Sequence, residues 1–125
     1  MEYRYWRDRD NQVPCVLQAL KTIESADANS AKWYRKHLEK LRKYSYLDLV
    51  KHKVIKKLKG KNPWKIHELR FFLPRKIART FFVVARDSSI WLLHLIIKKK
   101  DQTPKKDIQI AEQRAMELND EISYL

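Results

Sequence analysis

The chain has 125 residues, with 28 lysines and arginines against 15 aspartates and glutamates and a formal net charge of +13. That length predicts a single domain over residues 1–125, with enough core to fold without disulfides or a structural metal. The lone Cys15 excludes an internal disulfide and no Cys/His spacing fits a zinc site, which points to a reducing, cytoplasmic setting.

The N-terminus, "MEYRYWRDRD", is charged and aromatic and lacks the apolar core of a signal peptide. Within it, "YRYW" (Tyr3 to Trp6) alternates aromatic and basic residues as a short strand does. Asn11 then precedes a helical pattern, with Pro14 in the first turn and Val16, Leu17, Leu20 and Ile23 as its apolar stripe. A second, longer helix starts around Asp27 to Ser30. Its stripe is Ala31, Tyr34, Leu38 and Leu41, with Lys32, Arg35, Lys36, Glu39 and Lys40 facing outwards. Trp33 reads as a packing residue. Leu47 to Leu58 reads as a helical turn followed by a loop.

Beyond that point the period changes. "WKIHELRFF", "KIARTFFVVARD" and "SSIWLLHLIIKK" are rich in β-branched and aromatic residues, with turn signals at Leu73-Pro74 and Asp87-Ser88-Ser89. The second and third are apolar on both faces, as strands covered on both sides are. The longest apolar run, Ile90 to Ile97, is too short to span a bilayer. Thr103 then caps a final helix, with Pro104 first in it and Ile108, Ala111, Ala115 and Leu118 as its stripe. The predicted order is β-α-α-β-β-β-α. This is an α+β fold with a small antiparallel sheet, mixed at the N-terminal strand, two N-terminal helices on one face, and a C-terminal helix.

Charge is concentrated between these elements. "KHKVIKKLKGKNPWK" (Lys51 to Lys65) holds seven lysines and no acid, and "KKKDQTPKK" (Lys98 to Lys106) holds five lysines and one aspartate. Such self-repulsion costs stability, and a polyanionic partner is the usual reason for it. Arg70 and Arg79 interrupt strands that otherwise read as core, and a buried guanidinium needs a partner. Two solutions stay open: pairing with a carboxylate such as Glu68, or an open concave face where a phosphate binds. The four histidines show no HxxxH or HExxH spacing, and phosphate-loop and nucleophile-elbow motifs are absent from the sequence. By itself, His94 reads as a satisfied core histidine.

Taken together, "KKLKG", "WKIHELRFF…RKIARTFFV" and "IWLLHLIIKKKDQTPKKDIQIAEQR" resemble the RelE/ParE toxin superfamily, and within it the phage-derived HigB-like branch of bacterial toxin–antitoxin systems. The likeness is strongest from Lys56 to Arg114. It implies a RelE-like fold and a cytoplasmic, metal- and cofactor-independent endoribonuclease that cleaves mRNA on the ribosome. It also implies silencing by a helix-turn-helix, HigA-like antitoxin, with no membrane partner. In such an enzyme the ribose 2′-OH attacks the adjacent phosphorus and leaves a 2′,3′-cyclic phosphate and a 5′-OH. That step needs a base, an acid and cations around the phosphorane.

Carried over by position, the resemblance assigns Arg79 to phosphate stabilisation and Arg70 to a second basic role. Lys98, Lys99 and His94, which share the next strand, are the remaining catalytic candidates. Lys56, Lys57, Lys59, Lys61, Arg75, Lys76 and Lys100 become RNA contacts. Ala78 stands where the family has a tyrosine, and Phe71-Phe72-Leu73-Pro74 replaces a glycine-containing turn. The alternatives are a non-catalytic, ParE-like gyrase inhibitor on the same fold and an inert basic RNA-binding protein.

Overall fold

The computed structural model describes residues 3–6, 15–73, 76–99 and 105–118; for Cys15, Leu73, Lys98 and Lys99 it describes the backbone. Among the described residues nine elements follow one another: β1 (Tyr3–Tyr5), α1 (Cys15–Ala26), α2 (Ala28–Lys43), α3 (Tyr46–Lys51), β2 (Ile55–Lys57), β3 (His67–Leu73), β4 (Lys76–Val84), β5 (Ile90–Lys99) and α4 (Lys105–Leu118). The strands form one sheet in the order β1-β5-β4-β3-β2. Neighbours from β2 to β5 are antiparallel, and β1 adds to β5 in parallel. The α+β class, the mixed N-terminal strand and the C-terminal helix are those read from the sequence.

The first two helices meet at Asp27. Its backbone N–H still donates to Ile23 of α1 (2.7 Å), while its carboxylate accepts from the backbone of Asn29 and Ser30 and so caps α2. Ala31, Tyr34, Leu38 and Leu41 are buried as their spacing requires. Trp33 corrects the expectation: it is 57% exposed, with the Lys36 ammonium 4.8 Å from its ring centre. One position before Tyr34, it falls off the buried stripe onto the lysine-rich outer face.

The stretch read as a turn plus loop is also more ordered. Ser45 caps the short α3 by accepting from the Asp48 N–H, and Lys53 (φ 58°) turns the chain back into β2. A six-residue helix and a three-residue strand are too short to show a period. The expected caps at Asn11 and Thr103, together with Pro14, Pro74 and Pro104, lie outside the described residues.

Both faces of the sheet are covered. On one, α1 and α2 bring Val16, Leu20, Tyr34, Leu38 and Leu41 against Leu69, Ala78, Phe82, Leu92 and Leu95. On the other, Ala111, Ala115 and Leu118 of α4 pack on Phe81, Val83, Leu93 and Ile96. Every residue of β4 from Ile77 to Val84 is buried, and each large side chain there contributes about 2 kcal/mol. A bulge opposite Phe81 and Phe82 leaves Leu93 without a strand partner. Consecutive Leu93 and His94 therefore both turn towards α4, which strict alternation does not allow. Among the described residues no helix is long and apolar enough to cross a membrane.

Tyr34, Thr80 and His67 are buried polar groups that find partners across elements. Tyr34 hydrogen-bonds Thr80 across the α2–β4 interface. His67, 1% exposed and stacked on Phe82, donates from Nδ1 to the Lys65 carbonyl (2.8 Å) and accepts at Nε2 from Tyr46 (2.7 Å). Burial pulls its imidazole down to about 4. The folded state binds this proton less readily than the unfolded chain, so the associated stability is present above about pH 6.5 and fades as pH falls towards 4. Between pH 7 and pH 5 the wild type should lose about 2 kcal/mol more than His67→Phe does. Urea unfolding at the two pH values measures the difference. Equal losses in both proteins would mean that the ring is not held neutral.

Candidate functional site

Cross-strand register builds the site. Arg70 of β3 stands directly opposite Arg79 of β4, and Glu68 stands opposite Phe81. All three side chains therefore leave the sheet on the α4 side. Like charges directly opposite one another destabilise a strand pair. Glu68 resolves the conflict: it is 2% exposed and accepts a close hydrogen bond from Arg70 Nε. Its Oε1 also lies 3.7 Å from Arg79 Nη1. Of the two solutions left open by the sequence, pairing with Glu68 is realised for both arginines, and both also line a cleft.

The cleft is about 250 Å³ and is bounded by the sheet, by the segment joining β2 to β3, and by α4. Five cations reach its wall (Lys56, Lys59, Lys61, Arg70 and Arg79) against two carboxylates, Glu68 and Glu112. Lys56 arrives there because β2 pairs it with Glu68. Lys59 and Lys61 belong to a segment folded around Asn62. The Asn62 amide donates to the carbonyls of Leu58 (3.3 Å) and Ile66 (2.9 Å), and its oxygen accepts from the Ile66 N–H (2.9 Å). Gly60 supplies a φ of +79° in that turn, a conformation open to glycine. The lysine-rich stretch is thus a clamped loop.

Arg79 is the best placed of these groups. It is 9% exposed and backed by Glu68. Among the described residues its guanidinium makes no hydrogen bond, and Glu68 at 3.7 Å is its one ion-pair contact. A planar fork held from behind, with donors still to spare, is suited to two oxygens of a phosphate. Arg70 is more exposed, at 35% of its side chain, and forms the rim.

The other sequence candidates distribute as follows. Register places Lys98 opposite Ile77 and Lys99 opposite Lys76, so the backbone end of β5 lies beside the start of β4, two and three residues before Arg79. Lys76 is exposed at that end and does not line the cleft. Lys57 pairs with His67 and borders an adjoining depression. Arg75 and Lys100 lie outside the described residues.

His94 is turned onto α4. Arg114 donates from Nη1 to the Leu93 carbonyl (2.7 Å) and to His94 Nδ1 (3.2 Å), and His94 Nε2 donates to Asp107 (2.9 Å). Because a guanidinium only donates, the His94 proton sits on Nε2. Asp107 takes the buried place in α4 that the apolar pattern gave to Ile108, which is only half-buried. This network fixes α4 against β5 and so sets the far wall of the cleft. Sequence reasoning missed Asn62, whose only signal was an Asn-Pro turn, and Glu112, an ordinary helix-surface acid until α4 is docked. Among the described residues no three His, Cys, Asp or Glu side chains gather as a metal site requires.

A family model described as phage-derived protein, Gp49-like, matches residues 21–116. No curated protein matches the chain.

Removing Glu68 should expose the conflict it resolves. Glu68→Ala leaves a largely buried Arg79 facing Arg70 and should cost about 3 kcal/mol. Adding Arg79→Leu should recover a substantial part of that loss, since the unpaired buried charge goes with it. Urea unfolding of the two single variants and the double variant gives the coupling; additive losses would contradict the pairing.

Proposed function

The chain belongs to the Gp49-like family of phage-derived proteins, within the RelE/HigB-like toxins, and from that premise we propose that it is a toxin acting as a metal-independent endoribonuclease on mRNA. The reading is that of the HigB-like branch. The toxin would act on the ribosome, in the cytoplasm, and be silenced by a helix-turn-helix antitoxin whose acidic surface complements a chain of net charge +13.

One observation carries the proposal: the Arg79 fork, anchored from behind by Glu68, faces a cleft ringed by Lys56, Lys59, Lys61 and Arg70. In 2′-OH attack the charge that develops lies on the non-bridging oxygens of a pentavalent phosphorane. Preorganised cations stabilise that charge without reorganising at the moment of reaction. Arg79 takes this role and Arg70 supports it. Glu68 is a positioning residue that keeps two like charges on one phosphate. Lys98 and Lys99, at the end of β5, are the candidates for proton transfer to or from the 2′ and 5′ oxygens. His94 acts through α4, because both ring nitrogens are engaged there. Lys56, Lys59 and Lys61 hold flanking phosphates, with Lys57, Lys76, Arg75 and Lys100 as further contacts along the strand.

The test is induction of the wild type and Arg79→Ala in cells, with RNA 5′ ends mapped and plasmid supercoiling followed together. Wild type should generate cuts within translated codons. Arg79→Ala should lower the cleavage rate by roughly a hundred- to a thousandfold, the usual loss for one oxyanion-stabilising group. Intact mRNA with relaxed plasmids would sink the nuclease reading and favour a gyrase inhibitor.

A further inference from the structure

Beside the Arg79 cleft lies a second depression of about 480 Å³, with an apolar floor of Val50, Val54, Ile55 and Phe72 and with Lys53, Lys56, Lys57 and Arg70 around it. The two share Lys56, Glu68 and Arg70, so they form one continuous track along β2 and β3. At its far end Phe72 is 65% exposed, although His67, Glu68 and Leu69 of the same strand are buried. The exposure follows from alternation. Phe71 turns inwards and meets Tyr34 edge-on at 6.4 Å, which sends Phe72 outwards on the side of Arg70.

We infer that Phe72 is a base-stacking platform for single-stranded RNA, one nucleotide away from the phosphate held by Arg70 and Arg79. This rests on the nuclease reading and names a specificity-determining contact within it. Two positions along β3 separate Phe72 from Arg70 by roughly 7 Å, about the reach from a phosphate to the neighbouring base. The surrounding charge favours nucleic acid over a protein surface. Lys53, Lys56, Lys57 and Arg70 frame the groove, and its one carboxylate, Glu68, is already engaged by both arginines. An aromatic face among backbone-tracking cations is how proteins hold single strands with little hydrogen-bond readout.

A 2′-O-methylated RNA oligomer carrying 2-aminopurine separates binding from cleavage, because its nucleophile is blocked. With the full chain, binding should quench the fluorophore at one position. Phe72→Ala should weaken binding roughly ten- to a hundredfold and abolish the quenching, while Phe72→Trp keeps both. The salt dependence should be unchanged in Phe72→Ala and shallower by about 0.7 in log–log slope in Lys56→Ala. Because Phe72 is exposed, its truncation should leave the melting temperature near that of the wild type. Phe72→Ala that binds and quenches like the wild type would overturn the inference alone and leave this face to a protein partner. A Phe72→Trp loss as large as that of Phe72→Ala would also overturn it. Wild-type protein that fails to bind would overturn both the inference and the RNA reading beneath it.

Discussion

Two arginines facing each other across adjacent strands, with one buried glutamate between them, are the constraint on which this fold turns. The β3–β4 register that aligns the core also forces Arg70 against Arg79. Without Glu68 the sheet would carry two like charges at its centre, one of them almost fully buried. Moving β3 by one residue would send Glu68 and Arg70 to the α1/α2 side, into the cluster around Leu69 and Phe82, and would take the Glu68 carboxylate away from Arg79 on β4. Register, core and charge are therefore one choice. The half-exposed pairs Arg35–Glu24 and Arg42–Glu39 carry no comparable weight, since solvent and salt screen them.

The walls around that charge are built by different means. Asn62 holds the lysine-rich loop with three hydrogen bonds to backbone, so it orders a stretch that its own repulsion would keep open. On the opposite side, Arg114, His94 and Asp107 tie α4 to β5. The Arg114 guanidinium also lies 4.6 Å from the centre of the Trp6 ring. His94, a catalytic candidate in the sequence, spends both ring nitrogens on holding a helix. What lines the cleft is five cations against Glu68 and Glu112, with Arg79 held by Glu68.

Much of the architecture was legible in the sequence, because amphipathic periods report burial directly. The stripe of α2 and the doubly apolar β4 are instances. Elements too short to complete a period were not: α3 and β2 became visible only through the Ser45 cap and the pairing of Ile55 with Leu69. Strand alternation carried Arg70 and Arg79 to one face, yet it could not reveal the bulge that turns Leu93 and His94 the same way. Trp33 shows the limit of residue type as a guide, since aromaticity suggested packing while the helical phase put it outside. Glu112 and Asn62 enter the site through tertiary placement, which a single sequence does not encode locally.

The central claim is that the Glu68-anchored arginine pair forms a phosphate site for attack by the ribose 2′-OH. The most direct measurement is the chemistry of the RNA ends produced when purified protein meets ribosome-bound mRNA. The expected products are 2′,3′-cyclic phosphate on the upstream fragment and a free 5′-hydroxyl on the downstream one, with both lost in Arg79→Ala. Fragments ending in 5′-phosphate, or mRNA left whole, would contradict it.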